Sequence, residues 1–217
     1  MQQDQNIKGF TILELLVVIT IVAIISAVAY PNFSNWRQDR ELRAAMEKAA
    51  TMLSSVNTLS QRGNYPFVQF RVTPNGTTST KFISKGMDAT SLSIKLNNAQ
   101  TIECNTSSGS YWDNNQVDET TKKISTHISK DGAVCFSKDG SYFKAHGTLK
   151  NNLNVTVENR STNQYLILCA TSNASNGGKC PLGQGGGLEK PAYLVEWTRF
   201  GNISKFKWSG SDWTRQN

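Results

Sequence analysis

The sequence predicts an α+β chain: a long N-terminal helix whose second half packs on antiparallel β-sheet. Three observations carry this reading. A continuous apolar run extends from Phe10 to Tyr30, a one-sided apolar stripe follows from Leu42 to Leu59, and short alternating segments recur from residue 67 onward. The first and second together define the helix, because 3.6-residue periodicity continues where the all-round apolar character stops. The third defines the sheet, because strands buried on one face alternate at period two.

Residues 1–9 are polar and short. The run that follows, FTILELLVVITIVAIISAVAY, contains only Thr11, Glu14, Thr20 and Ser26 as polar positions. A spanning helix needs about 20 predominantly apolar residues, and the run has that length. It fits an ordinary secretory signal peptide poorly, being too long for an h-region and lacking an A-x-A site at its end. A plain transmembrane anchor leaves Glu14 unexplained. On the insertion scale an aspartate at the bilayer centre costs about 2.5–3.5 kcal/mol, and a glutamate is a comparable burden. Such a carboxylate needs a partner.

Pro31 ends the apolar run. A proline inside a helix removes one backbone hydrogen bond and crowds the carbonyl of Ala27, so a kink is expected there. Beyond it, Leu42, Met46, Ala49, Leu53, Val56 and Leu59 recur at three- and four-residue intervals and draw the stripe that should dock on the sheet. The Met46, Met52 and Leu53 cluster reads as core. Gly63, Asn64 and Pro66 stop the helix. Spanning Phe10 to Gln61, it would be roughly 78 Å long at about 1.5 Å per residue. The hydrophobic half is therefore expected to project and the second half to pack.

Expected strands are 67–73, 80–84, 91–96, 134–137, 141–145, 153–157, 164–170, 193–198 and 203–208. Tight turns are expected at Lys138-Asp139-Gly140 and over Arg199 to Asn202, each with a glycine able to take positive φ. Segments 105–122 and 171–190 read as loops rich in Gly, Ser, Asn and Thr.

The four cysteines, Cys104, Cys135, Cys169 and Cys180, all follow the apolar run, and none stands at C-x-x-C spacing. An even number beyond a membrane segment points to two disulfides in an oxidising space. Three pairings are open by count. The expected one joins Cys169 to Cys180 across a Gly/Ser/Asn-rich loop and Cys104 to Cys135.

Residues Lys8, Gly9, Phe10, Thr11, Ile12, Glu14 and Leu15 resemble the class III leader of type IV pilins and type II secretion pseudopilins. The resemblance implies a leader, residues 1–9, removed by prepilin peptidase between Gly9 and Phe10, followed by N-methylation of Phe10. Residues 10–30 then serve as transmembrane and assembly segment, 32–61 as docking half, and 62–217 as β-rich globular domain. It implies a single-pass inner-membrane precursor with its C-terminal domain in the periplasm. Partners implied are other pilin or pseudopilin subunits and an inner-membrane assembly platform, in an extracellular pilus or a periplasmic pseudopilus. It also supplies Glu14 with a partner, the Phe10 amino group of a neighbouring subunit. Proline at position 31 is likewise similar to the family. The positive-inside count opposes this orientation, with Lys8 before the run and Arg37, Arg40 and Arg43 after it. The leader pattern and the cysteines favour it.

The stretch CFSKDGSYFKAHG, with Phe136, Gly140 and Gly147, resembles a hairpin of GspH/FimT-type minor pseudopilins. RFGNISKFKW resembles the hairpin that closes their second sheet, with Asn202 in place of the family's arginine. The rival is an ordinary pilin with one four-stranded sheet.

No G-x-S-x-G elbow, H-E-x-x-H pair or phosphate loop suggests an enzyme. His127 and His146 read as surface residues, and Gly183, Gly185, Gly186 and Gly187 as a flexible turn. Asp113, Asn114, Asn115, Asp118 and Glu119 gather oxygens within seven residues, a candidate calcium loop without EF-hand spacing. A solvated loop is the competing reading. No other cofactor is expected. The net charge of +7 permits DNA, anionic lipid or an acidic partner subunit. The basic, aromatic tail with Lys205, Lys207, Trp213 and Arg215 is the candidate DNA contact, since FimT-type minor pilins include DNA receptors for natural transformation. Strand alternation sets Lys205 and Lys207 with Ile203 on one face, as an exposed row guarding an edge, and buries Phe206 and Trp208. Trp213 and Arg215, past the strand, remain as a stacking platform.

Overall fold

The computed structural model describes residues 9–63, 65–75, 78–98, 103–104, 112, 117–140, 143–147, 149, 155–158, 160–162, 164–175, 177–183 and 185–216, with residues 28–32 described by backbone alone. Two compact units divide the chain between Gln38 and Asp39.

Helix α1 runs over Ile12–Gln61 and continues through Pro31. Thr11 starts it: the Thr11 hydroxyl accepts the Glu14 N–H at 3.2 Å, satisfying one of the amides that a helix start leaves open. Gly63, at φ 81°, ends it with its N–H on the Ser60 carbonyl at 3.0 Å. In the first unit every described side chain from Phe10 to Ala27 is exposed.

The second unit, from Asp39, contains the docking half of α1 and the β-domain. Strands β1 (Phe67–Asn75) and β2 (Ser79–Met87) form a hairpin. Helix α2 (Ala89–Asn97) follows, then β3 (Val117–Lys122), β4 (Ile124–Thr126), β5 (Gly132–Ser137) and β6 (Phe143–Gly147). Strands β7 (Val155–Val157) and β8 (Arg160–Thr162) make a small ribbon. Strands β9 (Tyr165–Ala170), β10 (Ala192–Trp197), β11 (Ile203–Trp208) and β12 (Trp213–Gln216) complete the chain. Among the described residues there are two five-stranded sheets, ordered β3-β2-β1-β5-β6 and β12-β11-β10-β9-β4, and every ladder is antiparallel. The architecture is α+β, a helix followed by antiparallel sheets. It departs from the single four-stranded sheet of the ordinary-pilin alternative.

The chain passes between sheets at Lys123, a non-glycine residue at φ 59°. There its N–H reaches the Thr78 carbonyl at 2.8 Å, and its carbonyl takes the Thr171 N–H at 3.1 Å. One backbone position thus bonds to the residue just before β2 and to the residue just after β9, which offsets the cost of a left-handed residue.

Both sheets bury one face on α1. Leu42, Met46, Ala49, Leu53 and Val56 share a core with Val68, Phe70, Val72, Phe82, Val134 and Phe136 of the first sheet. The same core takes Leu166, Leu168, Tyr193, Val195 and Trp197 of the second. Leu59, the last expected stripe residue, packs at its edge. The far face of each sheet is covered as well. Tyr165, Ile167, Cys169, Leu194, Phe206, Trp208 and Trp213 pack with Val155, Val157, Cys180 and Leu188. Met87, Ala133 and Cys135 pack with Cys104 and Trp112. Burial on both faces explains why β9 reads YLILCA rather than alternating. Each outer layer carries a disulfide, Cys104–Cys135 and Cys169–Cys180, both with Cα atoms 5.8 Å apart. This is the pairing expected from the sequence.

The structure corrects three sequence expectations here. Residues 91–96 belong to α2 rather than a strand. The Asp88 carboxylate accepts the Ser91 N–H at 2.6 Å and its hydroxyl at 3.0 Å, an N-cap that the period-two pattern of Leu92, Ile94 and Leu96 masks. Residues 117–122, expected in a loop, form β3, whose carboxylates Asp118 and Glu119 pair with Lys81 and Lys48. The C-terminal stretch after Trp208 returns as β12, so β11 is an interior strand and guards no edge.

Removing the Leu53 side chain, only 1% exposed, opens a cavity where helix and both sheets meet. Leu53→Ala should destabilise a soluble fragment starting at Asn32 by about 2–5 kcal/mol, measured by urea unfolding. Thr51→Ala, on the exposed face, should stay within about 0.5 kcal/mol.

Candidate functional site

The amino-terminal segment has the simplest geometry. Gly9 is exposed, and among the described residues a Cβ built on it meets no atom within 4 Å. Phe10 is 85% exposed. Thr11 and Glu14 stand at capping-box spacing. That places Glu14 in the first turn of α1, where a helix dipole favours a carboxylate. Among the described residues its carboxylate has no ion-pair or hydrogen-bond partner. Around it Ile12, Leu13, Leu15, Leu16, Ile19 and Ile25 are all more than half exposed. A helix apolar on every side is covered by lipid or by other helices in its working state.

The expected membrane span, 10–30, extends into the backbone-only positions. Among the described residues no helix is long and apolar enough to cross a membrane.

The C-terminal basic residues take different roles from those the sequence suggested. Lys205 Nζ contacts both oxygens of Glu47 at 3.0 Å. Lys207 Nζ lies 2.9 Å from the Asp39 carboxylate, which also accepts the Tyr193 hydroxyl at 2.9 Å. Burial, then the bond to Asp39, raises the Tyr193 phenol above its ordinary pKa. The two lysines face α1 and set its register on the second sheet. Partly exposed pairs of this kind contribute only about 0–1 kcal/mol each, so positioning is their main effect. Trp213 is 3% exposed and packs on Trp208 with ring centroids 5.1 Å apart. The stacking platform therefore does not exist. Arg215 is exposed on β12.

The two hairpin motifs meet in space, a contact that sequence spacing alone does not contain. Gly140 takes φ 69° and Gly201 φ 77°, as their turns require. The Arg199 guanidinium donates to the Gly140 carbonyl at 2.8 and 3.2 Å. Asn57 of α1 donates to the Phe200 carbonyl at 3.0 Å. A Cβ on Gly140 would strike the Phe200 ring at 2.7 Å, and one on Gly201 would strike Asn57 at 2.3 Å. Each glycine is thus needed for close approach as well as for its turn.

Of the suggested calcium donors, Asp118 pairs with Lys81 and Glu119 with Lys48 at 2.7 Å. Asp113, Asn114 and Asn115 lie outside the described residues. Gly183, Gly185 and Gly187 take positive φ in turns. His146 lies on β6, half-buried. His127, expected at the surface, is buried instead. Its Nδ1 accepts the Ile167 N–H at 3.1 Å and its ring lies 4.8 Å from the Tyr165 ring. Its polar Ser/Thr/Lys sequence surroundings concealed this, because Ser125 and Thr126, just before it in β4, are themselves buried. Burial lowers its pKa from 6.5 to about 3, against the opposing influence of the Ile167 backbone.

Residues 4–30 match the family described as the prokaryotic N-terminal methylation motif. The match spans the Gly9–Phe10 junction, Glu14 and the apolar run, the residues on which the pilin resemblance rests. No solved structure matches the chain.

The His127 environment gives a pH prediction. Between about pH 3 and 6.5 the unfolded chain protonates this imidazole and the folded chain does not, so the unfolded state binds more protons. This contribution to stability is flat above pH 6.5 and is lost as pH falls from 6.5 toward 3. Urea unfolding of the soluble fragment should show that decline, and His127→Asn should make it shallower.

Proposed function

We propose that this chain is a structural subunit of a type IV pilus or type II secretion pseudopilus. The observation that carries the reading is the methylation motif over residues 4–30, joined to a helix exposing apolar side chains all round and one carboxylate. In this reading prepilin peptidase cuts between Gly9 and Phe10, and Phe10 is then methylated. The precursor waits in the inner membrane with its β-domain in the periplasm, where its disulfides form. An assembly platform then moves it into a filament of similar subunits. Glu14 pairs with the Phe10 amino group of a neighbour, since an unpaired charge in a low-dielectric bundle is costly and an opposite charge nearby is strongly attracted.

Membership of the GspH/FimT type is supported by two features. The domain has two sheets, and the hairpin turns carrying Gly140 and Gly201 touch one another through Arg199 and Phe200. The alternative of a DNA receptor has less support: Lys205 and Lys207 are neutralised by Glu47 and Asp39, and Trp213 is buried. A structural role requires no catalytic group.

Glu14→Leu separates anchoring and processing from assembly. The variant should lose its leader normally, seen as the mature mass, and yield few or no filaments. Normal filament yield from Glu14→Leu would contradict the assembly role.

A further inference from the structure

Beyond the apolar run, α1 carries an aromatic pair that neither the docking stripe nor the leader accounts for. Phe33 and Trp36 are 60% and 53% exposed, with ring centroids 5.6 Å apart. Of the five tryptophans, the other four, Trp112, Trp197, Trp208 and Trp213, are each at most 4% exposed. A fold that buries four indoles leaves this one more than half exposed. It stands one helical turn from Phe33, so that the two rings share a face.

Distance along the helix says what covers it. At about 1.5 Å per residue, Phe33 lies about 31 Å and Trp36 about 36 Å beyond Ile12. A bilayer has a hydrocarbon core about 30 Å thick and measures about 40–45 Å with its headgroups. With Ile12 at the near hydrocarbon edge, Phe33 falls at the far edge and Trp36 within the far headgroup layer. A tilt of about 20° shortens these spans by only about 2 Å. Indole is suited to that layer, having an apolar body and a polar N–H, and tryptophan is enriched there.

We propose that Phe33 and Trp36 form an interfacial anchor, seating the indole of Trp36 in the phospholipid headgroup layer opposite the leader. The anchor sets how far the precursor helix protrudes before assembly. It rests on the membrane-anchored reading given above. The occupant is the lipid headgroup layer, because the pair continues directly from the apolar run at the depth where that layer lies.

The test uses the full chain reconstituted at high lipid-to-protein ratio in vesicles of phosphatidylcholine and phosphatidylglycerol. A portion of the lipid is brominated either near the glycerol end or near the methyl end of its acyl chains. Because the other indoles are buried, the quenchable emission reports Trp36. The expected result is a larger loss of emission with the shallow bromines than with the deep ones, and disappearance of that loss in Trp36→Leu. Deep quenching equal to or greater than shallow would overturn the anchor. So would Trp36 emission quenched by aqueous iodide but by neither lipid, which places the ring in water. Protection from iodide and both lipids would assign the pair to contact with a second copy and overturn it as well. In each of these outcomes the chain still floats with the vesicles, so the membrane-anchored reading stands. Failure to float overturns that reading and the anchor with it.

Discussion

Between Leu42 and Val56 one face of α1 is taken out of water by two sheets at once. A helix enclosed in this way cannot rotate or slide without exposing Met46 or Leu53, both buried. The surrounding contacts follow from that constraint. Near the start of the docked half, Asp39 and Glu47 meet Lys207 and Lys205, cations that an interior strand otherwise has no reason to carry. Near its end, Asn57 holds the β10–β11 turn through the Phe200 carbonyl, and Arg199 links that turn to Gly140 of the first sheet. The apolar stripe supplies the energy, at about 25 cal/mol per Å² of buried surface. The polar contacts fix the register.

The helix and most of the strands were legible because their patterns are local. The stripe from Leu42 to Val56 is buried as its spacing requires, and β11 spans the residues that alternation picked out. What sequence could not give was decided by tertiary context. Asp88 turned an alternating segment into α2 by capping it. Asp118 and Glu119 of β3 reached their lysine partners only once sheet and helix were assembled. His127 lies among polar neighbours in the chain yet between strands in space. The largest revision concerns the tail. Alternation correctly separated Lys205 and Lys207 from Phe206 and Trp208, but it could not show that α1 lies over the lysines or that β12 returns to bury Trp213.

The two halves of α1 answer to different surroundings. The docked half has one apolar face and charges that pair within the domain. The other half exposes apolar side chains on all sides and carries Glu14 at its first turn, where the helix dipole favours a carboxylate but no described side chain pairs with it. A position so costly in lipid makes physical sense when a cation arrives from outside the chain, and a newly cut amino terminus on a neighbour is such a cation. In the proposed function, cleavage at Gly9 and the role of Glu14 are linked: the cut that removes the leader would create the charge with which the carboxylate pairs.

The most direct test is the intact mass and N-terminal fragment spectrum of the chain recovered from the membranes of cells that produce it. The account predicts a mature chain that begins at Phe10 and carries one methyl group on its amino nitrogen. A chain that retains residues 1–9, or that is cut at any bond other than Gly9–Phe10, would contradict it.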